Sequence, residues 1–288
     1  MSRLFIRHET AYFYDRPVAF QPWRLIMRPL DSHATRVVDA RLELTPPGVT
    51  RWAYDAYGNS VCMFEPQGES DVLRVVNHLT IDRFPNPLEV PRGDDPASTL
   101  PIVYDASDRV VLQPFITPAT DDHDMAVADW LRGFMLSGDQ LAIDLLNRIN
   151  TTIHQQFSYN EREQEGVQSP AETIALRSGS CRDFAWLMIE TVRKLGFAAR
   201  FVTGYLYAPG NQGGGATHAW CDVFLPRLGW VEYDPTNALA ESRDLIRIAA
   251  TRTPQEASPM SGAIIGTANA RMEVRVDVDL APAYSASL

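Results

Sequence analysis

Apolar and polar positions alternate with a period of two over residues 3–84. In "RLFIRHETAYFYD" Leu4, Ile6 and His8 alternate with Phe5, Arg7 and Glu9, and "RVVDARLELTP" and "DVLRVVNHLTIDRF" are similar β-branched runs. Gly and Pro beside polar residues in "TPPGV", "AYGNS" and "PQGES" supply the turns. Short strands at this spacing predict a small sandwich or open barrel-like β domain over 1–100. Pro85, Pro87, Pro91, Pro96 and Pro101 then rule out a helix or central strand, predicting a linker or surface strap that continues to about residue 120. From residue 121 the period turns helical. "DDHDMAVADWLRGFM" opens with acids that suit a helix N-terminus, and "DQLAIDLLNRINTTIHQQF" sets Leu141, Leu145, Ile149 and Ile153 on one face. "SPAETIALRSG" predicts a short helix with Pro170 in its first turn. A longer one starts at Cys181, lined by Phe184, Leu187, Thr191 and Leu195, and ends at Gly196. "FAARFVTGYLY", "THAWCDVFL" and "WVEYD" read as strands, with "NQGGGA" as a connector or lid before the second. The expected organisation is a mixed α+β unit over 121–248 and an extension over 249–288 that ends in the strand "RMEVRVDVDL".

Composition changes this picture little. The 288 residues are 45% hydrophobic and 22% charged, enough for a sizeable core without staples. Cys62, Cys181 and Cys221 are too few, and odd in number, for a disulfide framework. Charges every few residues at the N-terminus leave no apolar segment typical of a signal peptide, and no run is long enough to span a membrane. A cytoplasmic protein without membrane contact is expected. A net charge of −10 argues against a nucleic-acid partner. The Asp/His cluster at 121–124 reads as capping and solvation; no Cys-x-x-Cys or His/Cys ligand spacing points to a metal, and no cofactor is expected.

Cys181 carries the candidate chemistry. At a helix start the unpaired backbone N–H groups and the macrodipole favour thiolate over thiol and can hold an oxyanion. Such a nucleophile needs a base. His218 stands on the strand that follows the glycine-rich loop, and Asp234 ends the next strand, where Pro235 stops the ladder. A carboxylate there can accept the imidazole Nδ1–H, which would leave Nε2 facing the thiol. Hairpin register decides whether the two can meet. With a four-residue loop Leu225 faces Trp230, and His218 and Asp234 fall on opposite faces. With a loop of five, Phe224 faces Trp230, and they become diagonal neighbours about 7–8 Å apart on one face. A triad therefore predicts the second register or an equivalent bulge. Cys62 and Cys221 read as packing residues, and Tyr205, Tyr207, Trp220 and Trp230 as cleft or core, divided by strand alternation.

The stretches "GSCRDFAWLMIETVRKLGFAARFVTGYLY" and "THAWCDVFLPRLGWVEYDPTN" resemble the transglutaminase-like superfamily of papain-type cysteine enzymes. The early "HETAYFYDRPV" is similar to the N-terminal region of its bacterial branch. The resemblance implies an α+β core whose cysteine helix packs on an antiparallel sheet, preceded by an all-β domain. By similarity Cys181 is the nucleophile, His218 the general base and acid, and Asp234 the orienting carboxylate. The Cys181 N–H is one oxyanion donor; Gln155, Gln156 and Tyr159 are candidates for a second. Asp183 is a helix cap or substrate contact, and Trp220 is a pocket candidate. Such a site performs acyl transfer on a peptide or protein amide. Hydrolysis by water is the favoured expectation, since no amine channel or calcium loop is evident. Transfer to an amine is the alternative, and a non-catalytic peptide-binding module is a third reading.

Overall fold

The computed structural model describes residues 2–84, 99–123, 125–135, 140–161, 166–207, 217–240, 242 and 244–280. The expected strap at 85–98 and the "NQGGGA" segment lie outside the described residues. Six strands come first: β1 (Ser2–Phe20), β2 (Trp23–Arg28), β3 (Thr35–Thr45), β4 (Gly48–Tyr54), β5 (Ser60–Pro66) and β6 (Ser70–Arg83). Five helices and seven strands follow: α1 (Ala106–Ile116), α2 (Ala126–Arg132), α3 (Ala142–Gln156), β7 (Ser158–Tyr159), α4 (Pro170–Leu176), β8 (Ser178–Gly179), α5 (Cys181–Lys194), β9 (Ala199–Leu206), β10 (Thr217–Leu225), β11 (Gly229–Asp234), β12 (Leu239–Ala240) and β13 (Leu245–Thr251). The last described strands are β14 (Met260–Ser261), β15 (Ile264–Ile265) and β16 (Ala270–Leu280). The architecture is the α+β one expected.

The N-terminal strands form two sheets. One runs β15-β1-β6-β3, with β16 also on β1; the other runs β14-β2-β5-β4. Alternation sends Leu25, Met27, Cys62, Phe64, Leu73 and Val75 into a shared interior, so Cys62 is a packing residue there. The closing strand β16 does not stand apart as an extension. It pairs antiparallel with β1 from Leu4↔Leu280 to Tyr14↔Ala270 and completes the first sheet.

The expected linker also differs from the structure. Residues 106–116 form α1, begun by the Asp105 side chain accepting from the Asp108 N–H. Leu112 anchors it against Tyr104 and Ala198. In the second half of the chain, α5 packs on an antiparallel sheet of order β12-β11-β10-β9-β13. Ala219, Cys221, Val223 and Leu225 face α5, in one core with Phe184, Leu187, Met188 and the α3 stripe Leu145, Ile149 and Ile153. The other face of the sheet meets the N-terminal β layer: Tyr205, Ile246 and Ile248 pack with Leu4, Ile6, Val61 and Ile81. Polar ties reinforce that seam. Asn59 both donates to Ala250 O and accepts from Ala250 N–H, each at 3.0 Å. Arg83 donates to Leu245 O at 2.8 Å.

Gly204 on β9 pairs with His218. A Cβ there would overlap the carbonyl oxygen of Ile246 and come within 2.8 Å of Trp220 Cη2. Backbone cannot give way as a flexible side-chain end can. Gly204→Ala is expected to cost about 1–3 kcal/mol of stability through overpacking, measured by urea unfolding; a change within error would show that the sheet relaxes freely.

Candidate active site

Helix α5 places Cys181 at its first position. Ser180 is the N-cap, and Asp183 accepts from the Ser180 N–H at 2.8 Å and from its hydroxyl at 2.9 Å. The second Asp183 oxygen takes the Gln168 N–H at 2.7 Å. Asp183 is fully buried, so its carboxylate anchors the first turn and does not reach toward a substrate. Parallel pairing of β7 with β8 sets Tyr159 opposite Gly179, and the phenol ring meets Phe184 edge-on at 6.5 Å. Tyr159 is 52% exposed, and its hydroxyl is pushed up to about 12 by partial burial and then by the charge of Cys181. Among the candidate second donors Tyr159 is therefore the one brought near the thiol. Gln155 and Gln156 end α3 as exposed residues.

The β10–β11 hairpin adopts the register that a triad requires. Phe224 pairs with Trp230, and pairing runs one step further, to Leu225↔Gly229, leaving a three-residue turn. Arg227 within that turn and Gly229 at its exit have φ of 68° and 80°, the left-handed conformation that glycine takes without strain. His218 and Asp234 consequently share a face, with Nε2 donating to Asp234 Oδ2 at 2.8 Å. This corrects the expected ring orientation: the carboxylate holds Nε2, so the nitrogen left for the thiol is Nδ1. The strand geometry presents the far edge of the ring to Asp234. Asp234 is itself held by the Thr236 N–H at 3.0 Å and by Asn237 Nδ2 at 2.8 Å.

His218 is 8% exposed and Asp234 fully buried. Burial alone would lower the imidazole pKa. Hydrogen bonds to Asp234 and Cys181, with the charge of both, outweigh it and raise the value to about 10. For Asp234, burial pushes upward, but the bonds from His218, Asn237 and Thr236 N–H hold the carboxyl below its ordinary range. The ring thus sits between the Asp234 carboxylate and the Cys181 sulfur, both of which favour its protonated form.

Trp220 does not line an open cleft. It is fully buried with Val202, Leu245 and Ala250, and its ring stacks behind His218 at 6.0 Å. Tyr205 is buried and bonded to His8 at 3.0 Å. Trp230 is walled by Phe115 and Phe224, with the Arg200 guanidinium 4.2 Å from its ring. Cys221 sits in the core, where burial drives its pKa well upward. In the Asp/His cluster, Asp122 accepts from the Val127 and Ala128 N–H groups at 3.1 Å and pairs with Lys194 at 3.0 Å, a helix-capping arrangement. Asn237 went unnoticed in the sequence, although "DPTN" is a turn pattern in which an Asp carboxylate accepts from the N–H two residues on.

Residues 131–235 match the transglutaminase-like superfamily core, and residues 4–82 match the bacterial transglutaminase-like N-terminal region. Those two stretches are transglutaminase-like. The chain's fold is similar to the crystal structure of a candidate cysteine protease from Cytophaga hutchinsonii, with a TM-score of 0.75 and 20% identity over 97% of this chain and 90% of that one. A Mycobacterium tuberculosis relative of uncharacterised function is 28% identical over 96% of this chain and 92% of its own length. A protein-glutamine gamma-glutamyltransferase from Pseudomonas aeruginosa is 31% identical over 127 residues, 41% of this chain but 19% of that protein. Among the described residues of this transglutaminase-like protein, no helix is long and apolar enough to cross a membrane.

Proposed function

We propose that this protein cleaves a peptide or protein amide by acyl transfer, with Cys181 as nucleophile, His218 as proton carrier and Asp234 as orienting carboxylate. The observation that carries this reading is the buried imidazole bonded to a carboxylate on one side and to the thiol at a helix N-terminus on the other. The Cys181 sulfur attacks the carbonyl carbon as thiolate. The resulting oxyanion is held by the Cys181 N–H, which has no intrahelical acceptor at the first helical position, and by the still-protonated Tyr159 hydroxyl. His218 gives its proton to the departing amine as the C–N bond breaks, leaving a thioester on Cys181. Water, giving a proton to His218, attacks the thioester and releases the acid and the thiol. Hydrolysis is the preferred outcome, since no built amine channel is evident among the described residues. The partial likeness to a gamma-glutamyltransferase keeps amine transfer as the second reading.

The test combines labelling and turnover. Brief iodoacetamide exposure between pH 5 and 9, read by intact mass, is expected to add one label to the wild type and none to Cys181→Ala, since burial pushes the Cys62 thiol up to about 11 and drives the Cys221 thiol well upward too. A peptide mixture incubated with and without a primary amine separates the two outcomes. New peptide termini mean hydrolysis, and amine adducts mean transfer. Labelling unaffected by Cys181→Ala would overturn the proposal.

A further inference from the structure

We infer that Asn237 is a positioning residue for the imidazole–carboxylate pair, holding the same oxygen that His218 uses and closing that bond off from water. The inference rests on the triad proposed above. Two donors converge on Asp234 Oδ2: His218 Nε2 and Asn237 Nδ2, each at 2.8 Å. The donors themselves are 3.5 Å apart, so three polar atoms form one tight triangle. Asp234 is fully buried and His218 nearly so, whereas Asn237 is exposed. The carboxamide is therefore the layer between the pair and solvent, and core packing does not account for it.

Asn237 is placed from outside the sheet. His154, in the last turn of α3, donates through Nδ1 to Thr236 O at 2.7 Å, and Asn150 donates to Leu239 O at 3.1 Å. Between those anchors Ala238 takes a φ of 53°, a left-handed conformation that a non-glycine residue adopts only when its surroundings impose it. A carboxylate out of water tends to take up a proton, and each donor opposes that. With Oδ2 shared and Oδ1 fixed by the Thr236 N–H, the carboxylate cannot rotate. The ring of His218 is then fixed too, with Nδ1 toward Cys181.

The experiment measures the rate of Cys181 alkylation by iodoacetamide against pH in wild type, Asn237→Ala and Asn237→Asp, with thermal unfolding of each. Asn237→Ala is expected to slow labelling about tenfold near pH 6, as loss of an outer hydrogen-bond partner commonly does, with an unfolding midpoint close to wild type. Asn237→Asp sets a second carboxyl against Asp234. Such a pair shares a proton and titrates above the usual carboxylate range. Its labelling profile is expected to gain an inflection, between about pH 5 and 8, that neither wild type nor Asn237→Ala shows. Profiles for both variants that superimpose on wild type would overturn the inference. So would a uniform slowing in step with a lowered unfolding midpoint, which is the mark of a merely structural residue. Wild-type labelling that survives Cys181→Ala would overturn the triad itself, and is seen separately from either result.

Discussion

Asp234→Asn is expected to lower turnover about 10³- to 10⁴-fold while the protein stays folded, the scale of loss when a triad carboxylate becomes an amide. The new amide either turns its NH₂ toward His218 Nε2 and Asn237 Nδ2, donor against donors, or turns it toward the Thr236 N–H with the same conflict. In the first orientation the ring escapes by shifting its proton to Nδ1, which then faces the thiol as a donor and cannot take the proton of Cys181. In the second the carboxamide is held against the Thr236 N–H and the charge that orients the ring is still lost. The imidazole also loses the carboxylate that raises its pKa, so the value should fall well below about 10 in an NMR titration. Stability carries a matching signature. For His218 the folded pKa is raised from 6.5 to about 10, so its contribution is full below pH 6.5 and is lost as pH rises through about 10. For Asp234 the folded pKa is lowered from 3.8, so its contribution holds above pH 3.8 and fades as pH falls. The stability gap between wild type and Asp234→Asn should thus be widest between pH 3.8 and 6.5 and narrow toward pH 10. A gap that does not narrow toward pH 10, or turnover within tenfold of wild type, would remove Asp234 from the mechanism.

The largest loss of stability is expected from a site far from the thiol. Glu190 and Arg193, on successive turns of α5, are almost completely buried and bond to each other at 2.8 Å. Glu190 also receives the Ala119 N–H at 2.9 Å, the Thr120 N–H at 2.7 Å and the Thr120 hydroxyl at 2.6 Å. Arg193 donates to Ala199 O and Arg252 O, both at 2.8 Å. Glu190→Ala strands a buried guanidinium and leaves three donors without an acceptor. A loss of about 3–5 kcal/mol in urea unfolding is expected, the usual result of breaking one side of a buried pair. The cost arises mostly from the charge left behind. Glu190→Ala with Arg193→Met should accordingly be less destabilised than Glu190→Ala alone. A single-variant loss under about 1 kcal/mol would mean that water reaches Arg193 and the network is not closed.

Periodicity alone made much of this visible. The α3 stripe, Pro170 in the first turn of α4, Asp183 in the first turn of α5 and the alternation of β10 and β11 are local properties, each stated within a dozen residues. The hairpin was a step harder. Either register fits the hydrophobic pattern of "VFLPRLGWV", and the demand that His218 and Asp234 share a face favoured the observed one. Helix α1 escaped notice because its pattern is weak: Val110 and Val111 are exposed, Pro114 lies within it, and Leu112 alone is buried. Its helical state depends on Tyr104 and Ala198, distant in sequence. The ring nitrogen facing Asp234 was equally beyond reach, since it depends on how two twisted strands present a side chain and not on which residues they carry. Asn237 lay just past the proline that ends β11, where strand logic stops and turn geometry takes over. The pairing of β16 was hidden for a simpler reason. Alternation announces a strand but not its partner.

That pairing imposes an order on how the protein is made. Cys181, His218 and Asp234 all precede the stretch from 245 to 280, which adds an edge to the sheet bearing His218 and finishes the β layer behind it. A ribosome therefore extrudes all three residues of the proposed triad before the scaffold that steadies them can close. Until Leu280 comes opposite Leu4, β1 waits with one side unpaired for a strand almost a chain length away. Contacts so distant in sequence close slowly, so the growing chain carries an open strand edge throughout synthesis. A nascent form stalled before residue 270 would hold every reactive side chain of the site and still lack its last supporting strand.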